Sequence, residues 1–136
     1  MREMLEEVRK EWRQLETLRE RIESLTVLRA RQAEFSGSSG ASDVVGRYAV
    51  RREMLLDKHA KIAEAYIDAC LTLERVFSQI QDPRHAVILR GFYCGALSIP
   101  ELARKMSIST EHVKALKWYA LRDFDRICKA EKLLVP

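Results

Sequence analysis

Apolar residues recur at steps of three or four through the first part of the chain, as Leu5, Val8, Trp12, Leu15, Leu18, Ile22, Leu25 and Leu28. That spacing lines one face of an α-helix, and no Gly or Pro interrupts it between Arg2 and about Glu34. It predicts one long amphipathic helix whose other faces are solvated charge, with Glu16 and Glu20 set against Arg19 and Arg21. The run Phe35 to Asp43, FSGSSGASD, predicts a loop or hinge, with Asp43 or Ser42 as the N-cap of a second helix. From about Val44 to Gln81 a heptad passes through Tyr48, Arg52, Leu55, His59, Ile62, Tyr66, Ala69, Leu73, Val76 and Ile80. The two helices would each extend roughly 50 to 57 Å, alike enough to pair as an antiparallel hairpin or to zip against another chain. Arg52 and His59 on the seam read as register-fixing polar residues rather than as chemistry.

Punctuation changes after Gln81. Asp82 can cap a third helix with Pro83 at its first position, and Ala86, Ile88, Leu89 and Tyr93 supply its buried face before Gly95 stops it. Ser98 and Glu101 fit a capping box that opens a short helix from Ile99 to Met106. A tight turn at Ser107 and Ile108 leads to Ser109, a second N-cap. A longer helix then runs through about Ala130 with Val113, Leu116, Ala120, Phe124 and Ile127 facing inward. The expected fold is therefore all-α. A long coiled-coil-like two-helix hairpin over 1–81 (helices about 2–34 and 44–81, loop 35–43) precedes a three-helix helix-turn-helix unit over 82–136.

Composition agrees, since only 5 Gly and 3 Pro punctuate 136 residues. The net charge of +4 is unevenly spread: residues 83–136 hold 10 Lys/Arg against 5 Asp/Glu, whereas the rest is close to neutral. Local positive charge of this kind suits nucleic acid. Cys70, Cys94 and Cys128 are odd in number and widely spaced, which predicts reduced thiols and neither a disulfide framework nor a zinc site. No stretch approaches a membrane span, and MREMLEEVRK has no signal-peptide core, so a cytoplasmic location without membrane contact is expected. No cluster of His, Cys or carboxylates and no Gly-rich phosphate loop points to an enzyme or a cofactor; His85 and Cys94 lack a third member.

In a helix-turn-helix the second helix presents its N-terminal residues to base edges in the major groove. Helical spacing leaves Thr110, Glu111, Lys114 and Ala115, with Trp118 a further candidate, on the outer face; the first four read as base readers, with Lys114 able to donate to guanine and Glu111 to accept from cytosine N4. Arg104, Lys105, Ser109, His112 and Lys117 are suited to phosphates. Trp118 is expected to pack against the third helix or a partner chain in preference to DNA.

These residues carry a resemblance. Ser98 to Phe124, SIPELARKMSISTEHVKALKWYALRDF, resembles without a gap the helix-turn-helix of the promoter-reading C-terminal domain of bacterial sigma factors. The matching positions are Ile99, Glu101, Leu102, Arg104, Ile108, Ser109, Glu111, Val113, Lys114, Ala120, Leu121 and Arg122, with Pro83, Arg84, Ile88, Leu89 and Arg90 upstream. Thr110 and Ala115 depart from it, standing where those factors usually carry Arg and Gln. The layout of the whole chain is similar to small phage-encoded transcription regulators of the RinA and ArpU kind. The resemblance implies base reading by Thr110, Glu111, Lys114 and Ala115, and contact with RNA polymerase.

The expectation is thus a cytoplasmic, non-enzymatic, sequence-specific regulator that binds double-stranded DNA, as a homo-oligomer, dimer favoured, through the long helices. The alternatives are an adaptor docking on RNA polymerase and a small terminase-like DNA-packaging subunit.

Overall fold

A computed structural model describes residues 1–35 and 41–134, and the side chains of these apart from 29, 32–35, 41–45 and 133–134. The chain is all-α, with no strand among the described residues. The helices are α1 (Arg2–Phe35), α2 (Ala41–Phe77), α3 (Pro83–Leu89), α4 (Ile99–Met106) and α5 (Thr110–Leu134), and a π-helical turn, Arg90–Cys94, follows α3.

The predicted seams are the inward faces. Leu5, Val8, Leu15, Leu18 and Leu25 of α1 are buried, although Leu28 is exposed; on α2, Leu73 and Val76 are buried and the earlier heptad residues, His59 and Arg52 included, are half-buried. Several boundaries differ from expectation. Residues 36–40 of the predicted loop lie outside the described residues, but α2 has already begun at Ala41, so Ser42 and Asp43 fall inside its first turn rather than at its cap. A run of small polar residues offers several possible helix starts. α2 stops at Phe77 instead of Gln81. Gln79 N–H and Ile80 N–H fold back to the Val76 and Phe77 carbonyls at 3.0 and 3.1 Å, a tighter turn that swings Ile80 into the core. Pro83 keeps the helix from running on through Asp82, because the residue before a proline is disfavoured in the helical region; Asp82 is extended, at φ −80° and ψ 113°.

Two compact units result, Met1–Trp12 with Tyr66–Pro136, and Arg13–Ala65. In the first, Leu5 and Val8 of α1 share a core with Leu73, Val76 and Phe77 of α2, with Leu89 and Tyr93, and with Ala120 and Phe124 of α5. Phe77 and Phe124 meet at 6.1 Å between ring centroids, and Trp12 meets Tyr66 at 5.4 Å. In the second unit, Arg52 Nε donates to Thr26 Oγ1 at 3.3 Å. Within each unit, then, α1 and α2 pair inside one chain. The C-terminal unit is larger than the 82–136 segment read from the sequence, because α3, α4 and α5 alone leave the Phe124 face uncovered and the ends of the long helices cover it.

Leu5 is 1% exposed, so Leu5→Ala should cost about 2–5 kcal/mol in urea unfolding of the whole chain. A fold in which residues 82–136 stood alone would instead keep its C-terminal transition unmoved by this substitution.

Candidate nucleic-acid interface

The candidate interface is assembled from its caps. Asp82 accepts from Arg84 N–H at 2.9 Å with Pro83 next to it, as a helix start demands. His85 crosses from α3 to α5, its Nδ1 lying 2.6 Å from Asp123 Oδ2, so its partner is a carboxylate and not Cys94. α3 does not run unbroken to Tyr93. Its last turn widens to π geometry, Gly95 N–H reaching the Arg90 carbonyl at 2.9 Å. Gly95 stops the helix without a left-handed backbone, at φ −95°; Ala96, at φ 50°, takes that conformation. A Cβ on Gly95 would lie 3.0 Å from the Gly91 carbonyl oxygen, so its bareness serves close packing.

The widened turn needs acceptors satisfied from elsewhere. Arg9 donates to the Phe92 carbonyl and, at 3.1 Å, to that of Leu97, while the Tyr66 hydroxyl donates to the Cys94 carbonyl. Orphan carbonyls at a helix end must find such partners. These two residues, one from each long helix, were invisible to motif reading, because their partners are backbone atoms more than twenty positions away.

α4 opens with the complete capping box: Glu101 N–H donates to Ser98 Oγ at 3.2 Å, and Ser98 N–H to Glu101 Oε1 at 3.4 Å. Leu102 and Ala103 pack on Val113 of α5. Gly91 admits α4 closely, since a Cβ there would meet Leu102 Cδ2 at 2.8 Å. Ser107 is left-handed, at φ 57° and ψ 43°, which returns Ile108 N–H to the Ala103 carbonyl at 3.0 Å. Ser109 Oγ then accepts from His112 N–H at 3.1 Å and starts α5.

Val113, Leu116, Ala120 and Phe124 are buried and Ile127 half-buried, so the opposite face of α5 is outward. Thr110, Glu111, Lys114 and Ala115 are all exposed, as are Arg104, Lys105, Ser109 and His112. Glu111 and Lys114 pair with each other at 3.3 Å, a solvent-exposed contact that costs little to break. Lys117 differs from its neighbours. Its ammonium lies 3.9 Å above the Phe92 ring, whose centroid is also 3.8 Å from the Arg9 guanidinium. Burial and the Arg9 charge lower its pKa, against a raising influence from Glu6. Trp118 does not pack on α3. It is 57% exposed, with the Arg122 guanidinium 5.0 Å from its ring, because at helical spacing position 118 falls opposite the Ala120–Phe124 stripe. Arg122 was named from the sequence only as a position matching the sigma-factor helix, with no role given to it, although it stands four residues beyond Trp118 and eight beyond Lys114 on the same face.

No group of three or more potential metal ligands occurs among the described residues, and no helix among them is long and apolar enough to cross a membrane. No family model, curated protein or solved structure matches the chain.

Two outcomes follow from this geometry. Ser107 makes no side-chain hydrogen bond among the described residues, and a left-handed backbone costs a residue with a Cβ about 1–2 kcal/mol. Glycine gives back about 0.4–1 kcal/mol of that through unfolded-state entropy. Ser107→Gly should therefore raise the melting temperature by a few degrees in calorimetry. Separately, burial and then the neighbouring Cys70 thiol push Cys94 up to about 12, against about 8.5 for a free thiol. The folded protein keeps the neutral thiol while the unfolded chain ionises, so this contribution to stability is intact below about pH 8.5 and is lost as pH rises towards 12. Iodoacetamide at neutral pH should label Cys94 far more slowly than a model thiol; labelling at the model rate would exclude the half-buried arrangement.

Proposed function

We propose that the chain is a non-enzymatic, sequence-specific DNA-binding regulator of transcription, of the small phage-encoded kind that its layout resembles. It reads the major groove with the first turns of α5. The observation that carries this reading is the exposed stripe Thr110, Glu111, Lys114 and Ala115 at the N-terminal end of a 25-residue helix whose other face is locked in the core. Arg104 and Lys105 lie exposed on α4, the helix that would cross the phosphate backbone. The excess positive charge of residues 83–136 supports the same reading. Lys117, held over Phe92, contributes to the field more than to a direct phosphate contact.

One such unit makes few contacts, so two copies on paired half-sites are expected. Val50 and Met54, 61% and 68% exposed on α2, offer apolar surface for that pairing. A second reading, docking on a protein such as RNA polymerase, is favoured by one feature. A mostly apolar recess of about 320 Å³ lies between α3, the turn and α5, lined by Pro83, Arg84, Val87, Met106, Ile108, His112 and Leu116.

Selection from random duplex DNA should enrich one motif, and in gel-shift titration Lys114→Ala should cost about 1–3 kcal/mol on that motif and relax its sequence preference. Lys105→Ala should weaken all duplexes alike and reduce the salt slope by about 0.9. No enriched motif, with binding that is weak and insensitive to salt, would move the assignment to the protein-docking reading.

A further inference from the structure

The outer face of α5 does not end with the proposed base readers. Trp118 and Tyr119 are 57% and 50% exposed and meet edge to face at 5.0 Å, although water is an unfavourable place for two large aromatic rings. The Arg122 guanidinium rests 5.0 Å from the Trp118 ring. Arg2, Arg84, Arg90, Arg126 and Lys114 of the same unit each have a carboxylate partner. Arg122, like Arg104 and Lys105, has none among the described residues, and of these it is the one set against an exposed indole.

The position of this pair along the helix suggests what it meets. The major groove is about 8.5 Å deep and an α-helix rises about 1.5 Å per residue. A helix that enters by its N-terminal end therefore places roughly its first six residues inside the groove, here Thr110 to Ala115. Trp118 and Arg122 lie on the same outward stripe but one and two turns further out, level with the rim where the phosphates run.

We propose that Trp118 and Arg122 form a clamp on the DNA sugar–phosphate backbone at the rim of the groove, an assignment that rests on the DNA-reading function of α5. Arg122 donates to a phosphate oxygen with the planar fork that suits that group. The indole lies along the adjoining deoxyribose and holds the guanidinium in place before DNA arrives, which reduces the ordering cost of the contact. Charge complementarity selects this occupant: a cation with no acidic partner, fixed on a ring that a polyanion would cover.

The chain has two tryptophans, Trp12 and Trp118, so Trp12→Phe makes Trp118 the sole indole reporter. Adding a short mixed-sequence duplex should shield it from acrylamide quenching. Arg122→Ala should lower affinity for every duplex roughly two- to fivefold, the range of an exposed charge pair, and reduce the salt slope by about 0.9. Trp118→Ala should give a similar loss while the ranking of preferred sequences stays as in the parent. The clamp is refuted if duplex DNA binds and both variants bind as tightly as the parent with Trp118 still fully quenched. If no duplex binds the parent protein, the DNA-reading function fails and the clamp with it. If Trp118 becomes shielded as protein concentration rises without DNA, and Trp118→Ala lowers the mass in light scattering, the face joins copies of this chain instead and the clamp is overturned.

Discussion

Phe124 is fully buried at the place where α1, α2 and α3 converge on α5, with Phe77 against it and Ala120 one turn before it. An aromatic ring removed from water contributes several kcal/mol, and the small Ala120 lets the other helices approach. This contact fixes the rotation of α5 about its own axis. Each residue turns a helix by about 100°, so packing a neighbouring residue in place of Phe124 would carry Glu111, Lys114 and Trp118 off the outward face. What the helix presents to solvent is therefore decided on its buried side.

The same core explains the length of the unit. α3 ends in a π turn, and a wider turn strands carbonyls that a three-helix bundle has no donors to meet. Arg9 and Tyr66 meet them, Arg9 also stacking on the Phe92 ring that Lys117 of α5 approaches. The ends of the long helices thus do more than cover apolar surface; they complete the hydrogen bonding on which α4 is seated.

Much of this was legible in the chain. Periodicity gave the seams of both long helices, and the caps at Asp82, Ser98 and Ser109 named the starts of α3, α4 and α5, because each is a local hydrogen bond between neighbours in sequence. The exposure of Thr110, Glu111, Lys114 and Ala115 followed from which residues of α5 are apolar. What was missed depends on distance in sequence. The π turn, the left-handed Ala96 and the service of Arg9 and Tyr66 are responses to tertiary packing, and no window of neighbouring residues contains them. Of the two packings expected for Trp118, the one against α3 fails for a related reason. Size and apolarity favour burial, but the helical phase set by Phe124 leaves position 118 outside, whatever residue occupies it.

The pairing of Glu111 with Lys114 bears on how such a face would discriminate. An unopposed lysine at the tip of a reading helix attracts any phosphate, and so strengthens binding everywhere along a duplex. A carboxylate 3.3 Å away weakens that general attraction, and it is repelled by the backbone unless the groove offers it a donor. Cytosine N4 is such a donor, while guanine O6 and N7 on the same base pair accept from a lysine. At a G·C pair both members of the ion pair exchange one partner for another; at an A·T pair the one donor, adenine N6, lies between two acceptors instead of beside an adjacent pair of them, so the same two side chains meet a different order of partners. Under the proposed function, the acid lowers total affinity but widens the gap between right and wrong sites, and that ratio is what a regulator facing a genome of competitors requires. On that same proposal, with the short Thr110 and Ala115 beside them, these two residues would carry most of the selectivity of the helix, and the remaining affinity would come from the backbone contacts and from a second copy.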